Sequence, residues 1–213
     1  MHDESGDHQL DLLLQSASGG DQQAMAMAFD RYRARLERMV RARLDPRVRA
    51  RVDVEDVVQD AYLEASRRLP EYLKERKMAF YLWLRFITGQ KLIELHRVHG
   101  AGKRDVRREQ AGGGERQDSL GATSALLARE LIASQTSPSG AAQREETRQK
   151  LEEALEALDA VDREVIILRH HEHLTNTEAA EVLGINPNAA AQRHFRALQK
   201  MREALGGLGL SGL

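Results

Sequence analysis

The sequence predicts an all-α protein: two small helical domains joined by a flexible linker, the C-terminal one a helix-turn-helix. Apolar residues recur at three- and four-residue spacing along nearly the whole chain, and no stretch alternates apolar and polar residues long enough for a strand. Between about 99 and 145 that periodicity fails, and Gly100, Gly102, Gly112, Gly113 and Gly114 lie among charged and small residues. The expected layout is a first domain over 1–98, a linker over 99–139, a second domain over 140–205 and a glycine-rich tail over 206–213.

In the first domain Leu10, Leu13 and Leu14 begin a short helix that Gly19 and Gly20 interrupt. Met25, Phe29, Tyr32, Leu36, Met39, Val40 and Leu44 then trace one face of a longer helix, which Pro46 ends. Asp53 is placed to cap a helix carrying Val57, Val58, Ala61, Tyr62 and Leu63, expected to stop at Pro70. A fourth helix is predicted over about 78–98, with Phe80, Trp83, Leu84, Ile87 and Leu95 inward; Phe80, Tyr81, Trp83 and Phe86 have core spacing.

Within the linker, Ala125 to Ala133 can form an isolated helix, and Ser137 with Pro138 is an N-cap and first-position pair. Leu151, Leu155 and Leu158 mark the second domain's first helix, and Asp159 can cap the next, through Val165, Ile167 and Leu168. Thr175 and Glu178 match a capping box ahead of Ala179, Ala180 and Val182, and Gly184 stops that helix. Asn186 and Pro187 open a last helix through Phe195, Leu198 and Met201.

The chain has 213 residues, room for two small cores, and a net charge of −1 although 31% of its residues are charged. It should therefore not coat DNA indiscriminately as a strongly basic protein would. The charge is segmented. Residues 53–60 hold four acids and no base, 85–108 hold seven bases and two acids, and 186–202 hold four bases and no acid. Two separated basic blocks suggest two contacts with one polyanion. Cysteine is absent, which removes disulfides and thiolate chemistry. No apolar run approaches the ~20 residues of a membrane span, and the acidic start does not read as a signal peptide, so a cytoplasmic protein without membrane insertion is expected.

Helix, tight glycine turn, basic helix is the pattern of a helix-turn-helix, whose second helix presents its early residues to base edges in the major groove. Gln192 and Arg193 can hydrogen-bond bases, Asn188 and Arg196 can reach bases or phosphates, and Lys200 suits the backbone. The alternative is a helical hairpin with a solvated basic face. The stretch LEALDAVDREVIILRHHEHLTNTEAAEVLGINPNAAAQRHFRALQKMREAL at 155–205 resembles region four of the extracytoplasmic-function sigma factors of the sigma-70 family. DVEDVVQDAYLEA at 53–65 resembles their region-two polymerase-docking helix, and FYLWLRFITGQKLIELHR at 80–97 their minus-ten recognition and melting segment.

The resemblance implies a non-enzymatic sigma factor directing core RNA polymerase to specific promoters, cytoplasmic and nucleoid-associated when polymerase-bound, under anti-sigma or other stress-responsive control. It implies minus-ten contacts from Arg85, Gly89, Gln90, Lys91, Arg97, Lys103 and Arg104, with a base-capturing loop after the aromatic-rich helix beginning at Gly89 and Gln90. It implies minus-thirty-five contacts from the last helix, with Arg169 reaching DNA from outside it; a surface ion pair with Glu172 is the other role for that arginine. The chain departs from the family at Gln90, where Asn is common, at Ala191, where Lys or Arg is common, and at Ala160 and Val161, which replace a usual proline. For core polymerase, Asp53, Asp56, Gln59 and Asp60 offer an acidic, hydrogen-bonding surface suited to a basic partner, although acids at a helix start also complement its dipole.

His170, His171 and His173 form a compact cluster, but a metal-binding helix places ligands at i and i+4 beside a carboxylate or thiolate, and no metal or cofactor is expected. No phosphate-cradling loop, serine elbow or paired-carboxylate site appears. A stand-alone dimeric regulator and a protein-binding adaptor that never touches DNA remain the rival readings.

Overall fold

The computed structural model describes residues 4–44, 46–49, 51–100 and 141–204. The sequence expectations for 125–133, for Ser137 and Pro138, and for the tail fall outside the described residues. All described regular structure is helical: α1 (Glu4–Ser18), α2 (Gln22–Arg43), α3 (Pro46–Arg49), α4 (Val54–Glu75), α5 (Phe80–Gly100), α6 (Ala141–Glu156), α7 (Ala160–Ile166) running into a π turn (Ile167–His171), α8 (Asn176–Leu183) and α9 (Pro187–Ala204). The chain divides into two compact units, Met1–Arg41 with Val48–Gly102, and Ala42–Arg47 with Lys103–Leu213.

The first unit buries the stripes the periodicity predicts. Leu10 and Leu14 from α1 are buried, as are Met25, Phe29, Leu36 and Met39 from α2, Val57, Val58, Ala61, Ala65 and Leu69 from α4, and Phe80, Trp83, Leu84 and Ile87 from α5. Tyr72 stacks on Trp83 at 4.5 Å between ring centroids, and Phe80 lies 5.6 Å from Tyr72 and 5.7 Å from Trp83. The Tyr72 hydroxyl donates to the Met78 carbonyl at 3.0 Å, so the α4–α5 corner is tied by the same ring that fills it.

Two expectations are corrected. α4 does not stop at Pro70 but continues to Glu75, where Arg76 closes it in the left-handed region (φ 36). An interior proline costs about 3 kcal/mol. Burying Leu69 and Tyr72 on either side returns about 1.5–3 kcal/mol each, enough to carry the helix through. Phe86, assigned to the core by its spacing, is 48% exposed, because the inward arc of α5 is already filled by Trp83, Leu84 and Ile87.

In the second unit Leu151, Ala154, Leu155 and Leu158 pack with Ile166, Ile167, Ala197 and Met201, and Leu198 leans on that cluster. Asp159 caps α7 as predicted, its Oδ1 accepting from the amides of Val161 (3.1 Å) and Asp162 (2.9 Å). Arg163 is buried and spends its guanidinium on three carbonyls, Leu155 (2.8 Å), Glu156 (2.7 Å) and Leu158 (3.0 Å), at and just past the end of α6. The helix predicted through Val165, Ile167 and Leu168 changes hand-hold at Ile167: the Glu172 amide reaches back to the Ile167 carbonyl at 3.0 Å, a π-type bond the spacing did not reveal.

Arg163→Ala should cost about 3 kcal/mol or more, since it strands several buried acceptors at once. The only tryptophan, Trp83, lies in the first unit. Urea titration should therefore show helical circular dichroism partly lost at lower denaturant while Trp83 fluorescence keeps its wild-type midpoint.

Candidate nucleic-acid and polymerase interfaces

The helix-turn-helix is assembled by short-range chemistry at every joint. Thr175 and Glu178 form the capping box, the Glu178 amide donating to Thr175 Oγ1 (3.2 Å) and the Thr175 amide to Glu178 Oε2 (2.7 Å). Gly184 ends α8 at φ 64, a conformation that strains any residue with a Cβ. The Asn186 side chain accepts from the Ala189 amide at 2.8 Å and starts α9, whose small residues Ala190 and Ala197, with Met201, face the core.

At about 100° per residue that inward seam fixes where every other side chain on α9 points. Asn188, Gln192 and Arg196 are exposed on the opposite arc, together with Ala191 and Gln199. Phe195, one of the apolar residues through which this helix was traced, stands on this arc and is 66% exposed. Its spacing was ambiguous because it lies seven residues from Asn188 and only two from Ala197. Arg193 and Lys200 share a different flank, turned toward α7. Lys200 Nζ donates to Asp162 Oδ2 at 2.8 Å and lies 3.6 Å from Asp159 Oδ2, and Arg193 reaches Asp162 Oδ1 at 3.4 Å. Arg169 donates to the Leu174 carbonyl. The six basic and amide residues expected at DNA thus separate into an outward trio, a flank pair and an arginine engaged with its own turn.

On α4 the four predicted residues come together. Asp53 occupies the N-cap position with extended backbone but makes no side-chain cap bond, and Asp53, Asp56, Gln59 and Asp60 are all exposed. Leu63 shares their arc at 46% exposure, an apolar centre in an acidic face. Its spacing of seven from Asp56, outside the seam of Val57, Val58, Ala61 and Ala65, was the available clue.

α5 runs unbroken from Phe80 to Gly100, so Gly89 and Gln90 lie inside a helix and the loop expected to begin there is absent from this stretch. Gln90 and Arg97 share one exposed arc with Phe86 and Ile93, whereas Arg85 and Lys91, both half-buried, fall to either side of it. Gln90 Oε1 accepts from Arg68 Nη1 at 2.9 Å, and Lys91 pairs with Glu94 at 3.3 Å. Lys103 and Arg104 lie outside the described residues.

The family model of sigma-70 region 2 matches residues 28–101, and that of sigma-70 region 4 matches residues 148–201, together more than half of the chain. The chain belongs to the sigma-70 family, extracytoplasmic-function type. As a sigma factor it directs core RNA polymerase to specific promoters and initiates transcription there. It is similar to the ECF RNA polymerase sigma factor SigD of Mycobacterium tuberculosis (27% identical over 196 residues, 92% of this chain and 84% of the relative). It is similar also to the RNA polymerase sigma factor CnrH of Cupriavidus metallidurans (28% identical over 199 residues, 91% and 93%). In fold it is similar to CnrH solved in complex with the cytosolic domain of CnrY (TM-score 0.54, 24% identical, covering 92% of this chain and 96% of that one). Among the described residues no group of three or more potential ligands could hold a metal ion, and no helix is long and apolar enough to cross a membrane.

His170 Nε2 and His194 Nε2 lie 2.8 Å apart, a single hydrogen bond linking the π turn to the recognition helix, in which one ring donates and the other must keep its lone pair. Burial, with Arg169 and His173 nearby, holds His170 below its ordinary range; burial, with His170 and Arg169, pushes His194 down to about 4.

Two consequences are measurable. Between the unfolded value of about 6.5 and the depressed folded values, the unfolded chain binds protons that the folded rings refuse. Stability present above pH 6.5 is therefore lost on acidification, so the melting temperature of the second unit should fall from pH 7.5 to pH 5, with a shallower fall in His194→Gln. Separately, a Cβ at Gly89 would sit 3.6 Å from Met39 Cε, an ordinary contact. Gly89→Ala should stabilise the first unit by ~0.5–1 kcal/mol, read from Trp83 fluorescence in urea.

Proposed function

We propose that this sigma factor works as two weak readers held in register by polymerase. Residues 1–98 bind core polymerase and the minus-ten element, 99–139 link, and 140–205 bind the minus-thirty-five element. The observation that carries this reading is the outward arc of α9: Asn188, Gln192 and Arg196 exposed together on a capped, glycine-turned helix pair. Amide and guanidinium groups are the side chains that make paired hydrogen bonds to base edges. Phe195 among them offers an apolar surface for a thymine methyl group.

The acidic arc of α4, Asp53, Asp56, Gln59 and Asp60 around Leu63, is the polymerase-docking face: charges at its edge steer a basic partner and the leucine gives it a desolvated centre. On α5, Gln90 reads an unpaired base, Phe86 and Ile93 supply the apolar surface beside it, and Arg97 holds phosphate, with Arg85 and Lys91 adding charge on the same helix and Lys103 and Arg104 adding charge after it in the sequence. Arg169 contributes only if DNA displaces it from the Leu174 carbonyl. Neither reader needs high affinity, because polymerase raises the effective concentration of each at its element.

The chain carries out no chemistry itself; bond formation belongs to the polymerase. It acts in the cytoplasm, on the nucleoid once polymerase-bound. An inhibitory protein that occupies one of these faces controls it, as CnrH is held in a complex with the cytosolic domain of CnrY.

Run-off transcription with purified core polymerase and fragmented genomic DNA from the source organism should give discrete transcripts with the wild-type chain and weaker ones with the Asp56→Ala, Gln59→Ala double variant. Absence of transcripts and of co-elution with core polymerase, with a symmetric footprint from the chain alone, would assign it instead as a stand-alone regulator.

A further inference from the structure

Asp162 is an acid facing a DNA-binding helix, and the role of α9 does not account for it. Its side chain is 5% exposed, yet it meets two cations of α9 at once, Lys200 at 2.8 Å and Arg193 at 3.4 Å. Asp159, one turn earlier, adds a second carboxylate 3.6 Å from Lys200. Two acids at the start of α7, its cap Asp159 and Asp162, therefore face two bases of α9. A buried carboxylate needs such partners, so the pairing is a condition of the packing and not an accident of surface side chains. Lys200 is correspondingly held above its ordinary range, chiefly by its hydrogen bond to Asp162, and Asp159 below its own, chiefly by the Asp162 amide.

The basic block over 186–202 holds four bases, and DNA affinity that does not depend on sequence comes from the number of phosphates such bases neutralise. Asp162 cancels part of that count while leaving Asn188, Gln192 and Arg196 untouched on the other arc. We propose that Asp162 is an affinity-setting residue: an internal counter-ion that withholds Arg193 and Lys200 from the phosphate backbone, keeping the second domain's own grip on DNA weak and its promoter binding dependent on polymerase. This rests on α9 being the DNA reader.

The test uses the full chain and a fluorescently labelled duplex carrying the upstream element mapped from the run-off transcripts, with anisotropy read from 25 to 200 mM salt. Each phosphate contact contributes about 0.9 to the slope of log K against log salt. Asp162→Asn should tighten binding about threefold at the low-salt end and steepen that slope by about 0.9 per cation released. Asp162→Glu, which keeps the charge, should keep the wild-type slope. Asp159→Asn, which retains the N-cap acceptor and so the fold, should move in the direction of Asp162→Asn by a smaller amount. Unchanged or flatter slopes in both asparagine variants, or equal steepening in Asp162→Glu, would overturn the proposal. If Asp162→Asn fails to fold, an unchanged slope in Asp159→Asn alone does so. Failure of every protein, wild type included, to bind the duplex at 25 mM salt would overturn the assignment of α9 as well, and is distinguishable because the wild-type control then fails.

Discussion

The helix-turn-helix unit depends on the corner where α6 meets α7, and that corner depends on Arg163. A helix that ends inside a protein leaves carbonyls without donors, and turning the chain sharply buries them. Arg163 comes from the next helix to meet three carbonyls there, while Asp159 satisfies two amides on the other side of the same turn. The bend is thus closed from both ends by side chains four residues apart. Its geometry sets Leu155 and Leu158 against Ile166 and Ile167, and the floor so made is what Ala197 and Met201 of α9 rest on. The direction in which α9 presents Gln192 is a consequence of where one guanidinium finds its carbonyls.

The two units solve the same problem with different materials. In the first, large rings do the work: Tyr72, Phe80 and Trp83 fill the α4–α5 corner, and one phenol hydroxyl secures it. In the second, aromatic residues are nearly absent from the core, and caps, a glycine turn and a buried arginine supply the definition that packing volume does not. Such a unit is fixed by directional bonds, which suits a helix whose rotation about its axis decides which side chains meet a base. Electrostatics follows the same division. Acids on α4 stand free of side-chain capping duty, whereas acids on α7 are consumed by amides and by the cations of α9.

Much of this was legible in the sequence because it is written in local chemistry. Capping signals at Asp159, Thr175 with Glu178, Asn186 and Gly184 each involve residues no more than four apart, and each formed as read. The inward stripes were likewise visible from spacing. Pro70 misled because a local breaker was outweighed by tertiary burial of Leu69 and Tyr72. Phe86 misled because hydrophobicity marks candidates for the core without saying which candidates the core has room for. The pairing of Asp162 with Arg193 and Lys200, more than thirty residues away, leaves no periodic trace at all. Which recognition-helix cations face outward is therefore a property of the fold, and composition alone counted them as equals.

The π turn at Ile167–His171 has a bearing on how α9 is held. A turn closed by a bond five residues back is wider than an α turn, and it is from this widened turn that His170 meets His194 of α9. Rewinding those five residues as an α turn would move the His170 ring, so the winding of one short turn is coupled to the helix that presents Gln192.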